Sequence, residues 1–196
     1  MRKHLAKDPI MAAIIKEVKI QRIPPAPNVF NALLSSITSQ QLSVRVAEVI
    51  YGRVCALFSK KILTPKMILD TDRDTFRAAG LSNQKTNYFY NIANFFNEPA
   101  NKRIQWSRHT DEEIISKLVT IKGVGKWTVQ MILMFTLERP DVFPEDDLGI
   151  QLSMKEYYGI KAEKKELRIE MQDIAEQWAP YRTLASRYLW AARDKR

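Results

Sequence analysis

Leu118-Val119-Thr120-Ile121-Lys122-Gly123-Val124-Gly125-Lys126-Trp127-Thr128 is the stretch on which the reading of this chain turns. Thr110-Asp111-Glu112-Glu113 is a capping box, and it opens a helix with Ile114, Ile115 and Leu118 on one face. Two glycines one residue apart interrupt the pattern, and a strongly apolar helix is expected from Lys126 to about Leu137. Glycine permits backbone conformations that a side chain forbids, and it leaves no Cβ to hold a ligand off. The N–H groups opening the second helix can therefore face an anion, with the helix dipole favouring negative charge. Lys122 and Lys126 flank that point and add cationic attraction. A plain helical hairpin ended by a C′ glycine carries the same short motif, so both readings stand on the motif alone.

Outward from the hairpin, the apolar spacing is helical almost everywhere and no segment alternates as a half-buried strand does. Asp8-Pro9 reads as an N-cap and a first helical proline, with Ile10, Ile14 and Val18 on one face. Pro24-Pro25-Ala26-Pro27 ends that helix. Asn28 caps a helix burying Phe30, Leu33, Leu34 and Ile37, and Ser43 one burying Val46, Ile50, Val54 and Leu57. Thr64-Pro65 opens a short helix, Thr71 caps the next, and Gly80 stops it in the C′ manner. Ser82 or Asn83 starts a helix bearing Tyr88, Ile92 and Phe95; three more are expected at about 147–158, 163–177 and 181–194. The fold class is all-α.

The chain has 31 Lys+Arg against 22 Asp+Glu, a net charge of +9, which points to a polyanionic partner such as DNA or RNA. No apolar run reaches the roughly 20 residues that a bilayer span needs, and Met1-Arg2-Lys3-His4 leads into no secretory signal. A cytoplasmic or nuclear, non-secreted protein is expected, with no membrane contact. The single Cys55 excludes an internal disulfide framework and a four-cysteine iron–sulfur cluster; it reads as a buried small hydrophobe. His4 and His109 show no metal-ligand spacing.

Val142-Phe143-Pro144-Glu145-Asp146-Asp147-Leu148-Gly149 follows the hairpin, while Ser36-Ile37-Thr38-Ser39-Gln40-Gln41-Leu42 and Ala79-Gly80-Leu81-Ser82 with Lys85 precede it. Four motifs in this order resemble the helix-hairpin-helix DNA glycosylase superfamily over roughly residues 28 to 190, and within it the 3-methyladenine DNA glycosylase II family. The resemblance implies two helical lobes around a cleft. Residues 28–135 would form a helical barrel ending in the hairpin, and residues 1–27 with 136–196 a second lobe carrying the aspartate loop. It also implies excision of alkylated purines from damaged double-stranded DNA, by a monomer.

The site residues follow from the resemblance. Asp147 would be the catalytic carboxylate, stabilising positive charge on the sugar and orienting water, although Asp146 or Asp147 could equally cap the next helix. Trp127 and Trp190 would wall the base pocket, since an indole face attracts a cationic purine, and Met131 would line the same wall. Lys122, Gly123, Val124, Gly125, Lys126 and Thr128 would grip phosphate. Ser39 and Gln40 would touch phosphate or the pocket rim, and Gln41 or Leu42 would wedge into the gap left by a flipped base. Sodium or potassium at the backbone carbonyls of Val119, Ile121 and Val124 is implied as well, with no cofactor required. Strand-cutting relatives place a nucleophilic lysine where Trp127 stands, so a glycosylase using water is expected rather than a bifunctional glycosylase/lyase. A non-catalytic DNA-binding module is the rival from another class, but phosphate binding alone requires neither the carboxylate nor paired tryptophans.

Overall fold

The computed structural model describes residues 1–20, 26–58 and 62–195. Its helices are α1 (Arg2–Leu5), α2 (Pro9–Glu17), α3 (Val29–Ser39), α4 (Val44–Ala56), α5 (Pro65–Asp70), α6 (Arg73–Ala78), α7 (Asn83–Asn97), α8 (Asp111–Leu118), α9 (Lys126–Phe135), α10 (Leu148–Tyr158), α11 (Lys164–Glu176) and α12 (Arg182–Asp194). No strand occurs among the described residues, so the fold is all-α. No described helix is long and apolar enough to cross a membrane. Two compact units emerge: a central one, Pro25–Leu137, and a terminal one, Met1–Pro24 with Glu138–Arg196. The expected Pro24-Pro25 break lies outside the described residues.

In the central unit, helix starts follow the caps read from sequence. Asn28, Ser43, Thr64, Ser82 and Thr110 each accept a backbone N–H from three residues on. Thr71 is the exception: it closes α5, and the stronger carboxylate acceptor of Asp72 caps α6 at Thr75 N–H. Gly80, at φ +110°, ends α6 in a Schellman turn, with Gly80 N–H on Arg77 O and Leu81 N–H on Phe76 O.

Two helix faces differ from the expected ones. On α4, Val54 and Ala47 are buried, whereas Val46 and Leu57 are exposed and Ile50 is half-buried. α4 packs chiefly on α3, so its buried stripe is narrow. On α7, Thr86, Phe89, Ala93 and Phe96 face inward with Ile92, because α3 and α5 both pack there and Phe96 meets Phe30 edge-on at 5.5 Å. Tyr88 and Phe95 are left half-buried. Cys55 is half-buried as well, beside Tyr51, and burial raises its thiol pKa.

The terminal unit closes around Trp178, which is fully buried among Met11, Ile14, Phe143, Met154, Met171 and Tyr188. Asp8 is 4% exposed, yet its carboxylate is well satisfied. Oδ1 caps α2 at Ile10 and Met11, while Oδ2 accepts Tyr158 Oη–H at 2.6 Å and Trp178 Nε1–H at 2.9 Å. A buried carboxylate with four donors costs far less than an unpaired one, and it ties α2 to α10 and to the segment before α12.

Candidate functional site

The hairpin in the central unit is built on an aromatic ring. A Cβ added to Gly123, which sits at φ +104°, would overlap the Tyr88 ring at Cγ, so only glycine lets the turn rest on that ring. Gly125 is different: a Cβ there meets nothing within 4 Å, and its backbone is extended. Internal packing thus demands Gly123 but not Gly125. Gly125 is the N-cap of α9 and supplies no side-chain cap, which suits a helix start approached from outside. Lys122 and Lys126 are exposed beside it. Val124 and Thr128 are buried, at 5% and 2% exposure, so the part expected of them in the phosphate grip would fall to backbone groups.

The turn after α3 joins the hairpin. Gln40 Nε2 donates to Gly123 O at 3.4 Å, and Lys85 Nζ donates to Thr38 O at 2.7 Å and Gln40 O at 2.8 Å. Burial lowers the Lys85 pKa. With the carbonyls drawn inward, Gln41 projects at the left-handed φ of +58°, and both Gln41 and Leu42 are exposed. Ser39 is exposed too, its hydroxyl turned back to Ser36 O. On α9, Trp127 is 40% exposed and Met131, four residues on, is half-buried on the same face.

In the terminal unit the structure brings Asp147 and Trp190 together. Asp147 is the N-cap of α10, and its Oδ1 accepts Ile150 N–H at 2.9 Å and Trp190 Nε1–H at 2.8 Å. Asp146, which could equally have been the cap, instead pairs with Arg168 Nε–H at 2.6 Å. Capping and indole contact thus fall on one oxygen of one carboxylate. Trp190, expected as a pocket wall, also orients that carboxylate. The loop ahead is held by Gln151 Nε2–H on Glu145 O at 2.8 Å and by Asp147 N–H on Pro144 O at 2.9 Å.

Two further ties lock the elements that carry the pair. Ser153 Oγ–H donates to Leu189 O at 2.9 Å, pinning α10 to α12 one residue before Trp190. At the head of α12, Arg182 makes a two-pronged contact with Asp141, each prong 2.8 Å, and this holds the Asp141 carboxyl below the usual carboxylate range. Gly149 is the residue that sequence reasoning missed. A Cβ there would come within 3.0 Å of Asp147 Oδ1 and Trp190 Cδ1 and 3.1 Å of Arg193 Nη1. Its only sequence signal was a poor helix former in the first turn of a helix, with no capping job to explain it.

Residues 34–180 match the HhH-GPD superfamily base excision DNA repair protein family. The chain is 31% identical to the alkylbase DNA glycosidase-like protein mag2 of Schizosaccharomyces pombe, over 96% of this chain and 90% of the relative. It is 34% identical to DNA-3-methyladenine glycosylase 1 of the same yeast, over 82% of this chain and 71% of the relative. The solved structure of S. pombe 3-methyladenine DNA glycosylase Mag1 in complex with abasic DNA superimposes with a TM-score of 0.82 at 29% identity, covering 96% of this chain and 94% of Mag1. A capped helix, a glycine turn seated on an aromatic ring and a downstream helix-capping aspartate all fall within the matched residues, and the chain belongs to the HhH-GPD superfamily of base excision DNA repair proteins.

Proposed function

We propose that this protein is a monofunctional DNA glycosylase that hydrolyses the N-glycosidic bond of alkylated purines, of the 3-methyladenine type, in duplex DNA. The observation that carries the reading is the Asp147 carboxylate, oriented by Ile150 N–H and the Trp190 indole on a chain of this family. Its relatives' names and the abasic DNA held by Mag1 support the same substrate class.

As the C1′–N bond breaks, its electron pair leaves with the purine and positive charge builds on C1′ and the ring oxygen. A fixed carboxylate stabilises that charge without reorganising at the moment of reaction. Water then adds through its oxygen to C1′ and gives up a proton to Asp147 or solvent. An N-alkylated purine is cationic and departs neutral, so it needs less activation than a normal base. The indole faces of Trp127 and Trp190 suit such a cation, and Met131 lines the same face of α9 as Trp127. Ser39, Gln40 and the exposed Gln41 and Leu42 serve the DNA contact and the wedge, and Lys122, Gly123, Val124, Gly125, Lys126 and Thr128 the phosphate grip, Val124 and Thr128 through backbone groups.

Water is the only co-reactant, so no redox or group-transfer cofactor enters the scheme. The family resemblance implies a sodium or potassium ion held by the backbone carbonyls of Val119, Ile121 and Val124; Ile121 O accepts Val124 N–H at 2.9 Å and keeps a second lone pair that could serve it. Bound there, the ion would bridge protein and phosphate electrostatically.

The test is release of free 3-methyladenine from alkylated duplex DNA, followed by strand analysis with and without alkali. Free base with breaks only after alkali supports the proposal. A protein–DNA adduct trapped by borohydride shows a Schiff base and overturns the monofunctional reading.

A further inference from the structure

One face of α7 carries Gln84, Asn87, Tyr88 and Asn91, whose i, i+3, i+4 and i+7 spacing aligns four polar side chains over two turns. With Arg73 and Lys122 they line a groove of about 490 Å³. Among the described residues, two cations stand in it and no acidic side chain lines it. The guanidinium of Arg73 lies 4.7 Å from the centroid of the Tyr90 ring and donates through Nη1 to Asn87 Oδ1, so it is held in place rather than free to swing. The neighbouring acids are engaged elsewhere: Asp72 caps Thr75, and Asp74 faces Arg77. Neither Arg73 nor Lys122 makes an ion pair among the described residues.

The groove runs directly into the hairpin. Asn91 Nδ2 donates to Lys122 O at 3.1 Å, and the Tyr88 ring that lines the groove is the ring beneath Gly123. A strand whose phosphate is held at the glycine turn therefore meets this groove next. One held guanidinium, an exposed lysine and amide side chains between them suit a sugar–phosphate backbone and carry no base preference.

We infer that the Arg73–Asn87–Asn91–Lys122 groove is a second phosphodiester-binding site, which takes the DNA backbone just beyond the phosphate gripped by the hairpin. It rests on the glycosylase reading and extends the protein's footprint past the lesion. Its contribution is sequence-independent affinity.

The experiment measures duplex affinity against salt for the full chain and for Arg73→Gln, Lys122→Gln and Asn87→Asp. Each uses a long lesion duplex and one truncated just beyond the hairpin-bound phosphate. Removing one phosphate-neutralising cation should lower the slope of log affinity against log salt by about 0.9. Arg73→Gln should therefore bind the long duplex more weakly and with a shallower slope. On the truncated duplex its deficit should vanish. Arg77→Gln removes an equal charge from α6 outside the groove, and it should bind the long duplex as the wild type does.

Asn87→Asp guards against a merely structural role for Arg73. The new carboxylate can pair with Arg73 and keep the fold, yet it should weaken long-duplex binding by placing negative charge in the groove. Lys122 also belongs to the hairpin grip, so Lys122→Gln should weaken both duplexes. A wild-type slope in Arg73→Gln, equal losses in Arg73→Gln and Arg77→Gln, or an Arg73→Gln deficit that persists on the truncated duplex would each overturn the inference. A wild-type chain that binds and excises nothing would instead remove the glycosylase reading beneath it.

Discussion

At the scale of single residues, the aspartate proposed to act in excision also starts a helix, and both roles would constrain its neighbours. Trp190→Phe keeps an aromatic face but removes the N–H that meets Asp147 Oδ1. A hydrogen bond to a charged group contributes about 1.5–3 kcal/mol, so the single-turnover excision rate should fall at least roughly tenfold. Duplex affinity should change little. Equal losses in rate and affinity would make Trp190 a pocket wall only. Gly149→Ala should likewise slow excision, because its Cβ would arrive 3.0 Å from both the carboxylate oxygen and the indole edge. An unaltered rate would mean that the pair shifts without consequence.

At the scale of elements, the two hairpin glycines separate structural demand from ligand access. Gly123→Ala forces a methyl group onto the Tyr88 ring at a positive φ, and strain of this kind costs about 1–3 kcal/mol. The melting temperature should drop, and Tyr88→Ala should recover part of the loss in the double variant, since residues in contact do not behave additively. Fully additive losses would contradict the packing described for the turn. The sequence made the hairpin legible because capping boxes, C′ glycines and helix periods are local signals, acting within three or four residues. It made the order of the motifs legible for the same reason. The buried faces of α4 and α7 were less so, because tertiary neighbours decide which of two adjacent apolar residues turns inward. Phe96 over Phe95 is the clear instance. The carboxylate was legible only as a pair, Asp146-Asp147; three-dimensional packing separates them, giving Asp147 the cap and the indole and sending Asp146 to Arg168.

At the scale of the whole molecule, charge and pH act through different groups. The net charge of +9 names a polyanion, while the stability of the unit that carries Asp147 depends in part on acids that are paired. Arg182 depresses the Asp141 pKa below its unfolded value, so the pair stabilises the fold above about pH 4, the unfolded carboxyl range, and that stability is lost as pH falls through the depressed value. Asp141→Asn should lower the melting temperature at neutral pH and flatten its decline on acidification. A variant that loses stability in parallel with the wild type down to low pH would exclude this pair as a contributor.

The central claim concerns Asp147, and single-turnover excision from a duplex bearing 3-methyladenine, measured beside binding of the same duplex, tests it most directly. For Asp147→Asn the cap acceptor survives as an amide oxygen, so affinity should stay near that of the wild type. Excision should fall by about 100-fold or more, the scale on which removing one pre-organised electrostatic group acts. Excision at the wild-type rate, with binding intact, would contradict the account.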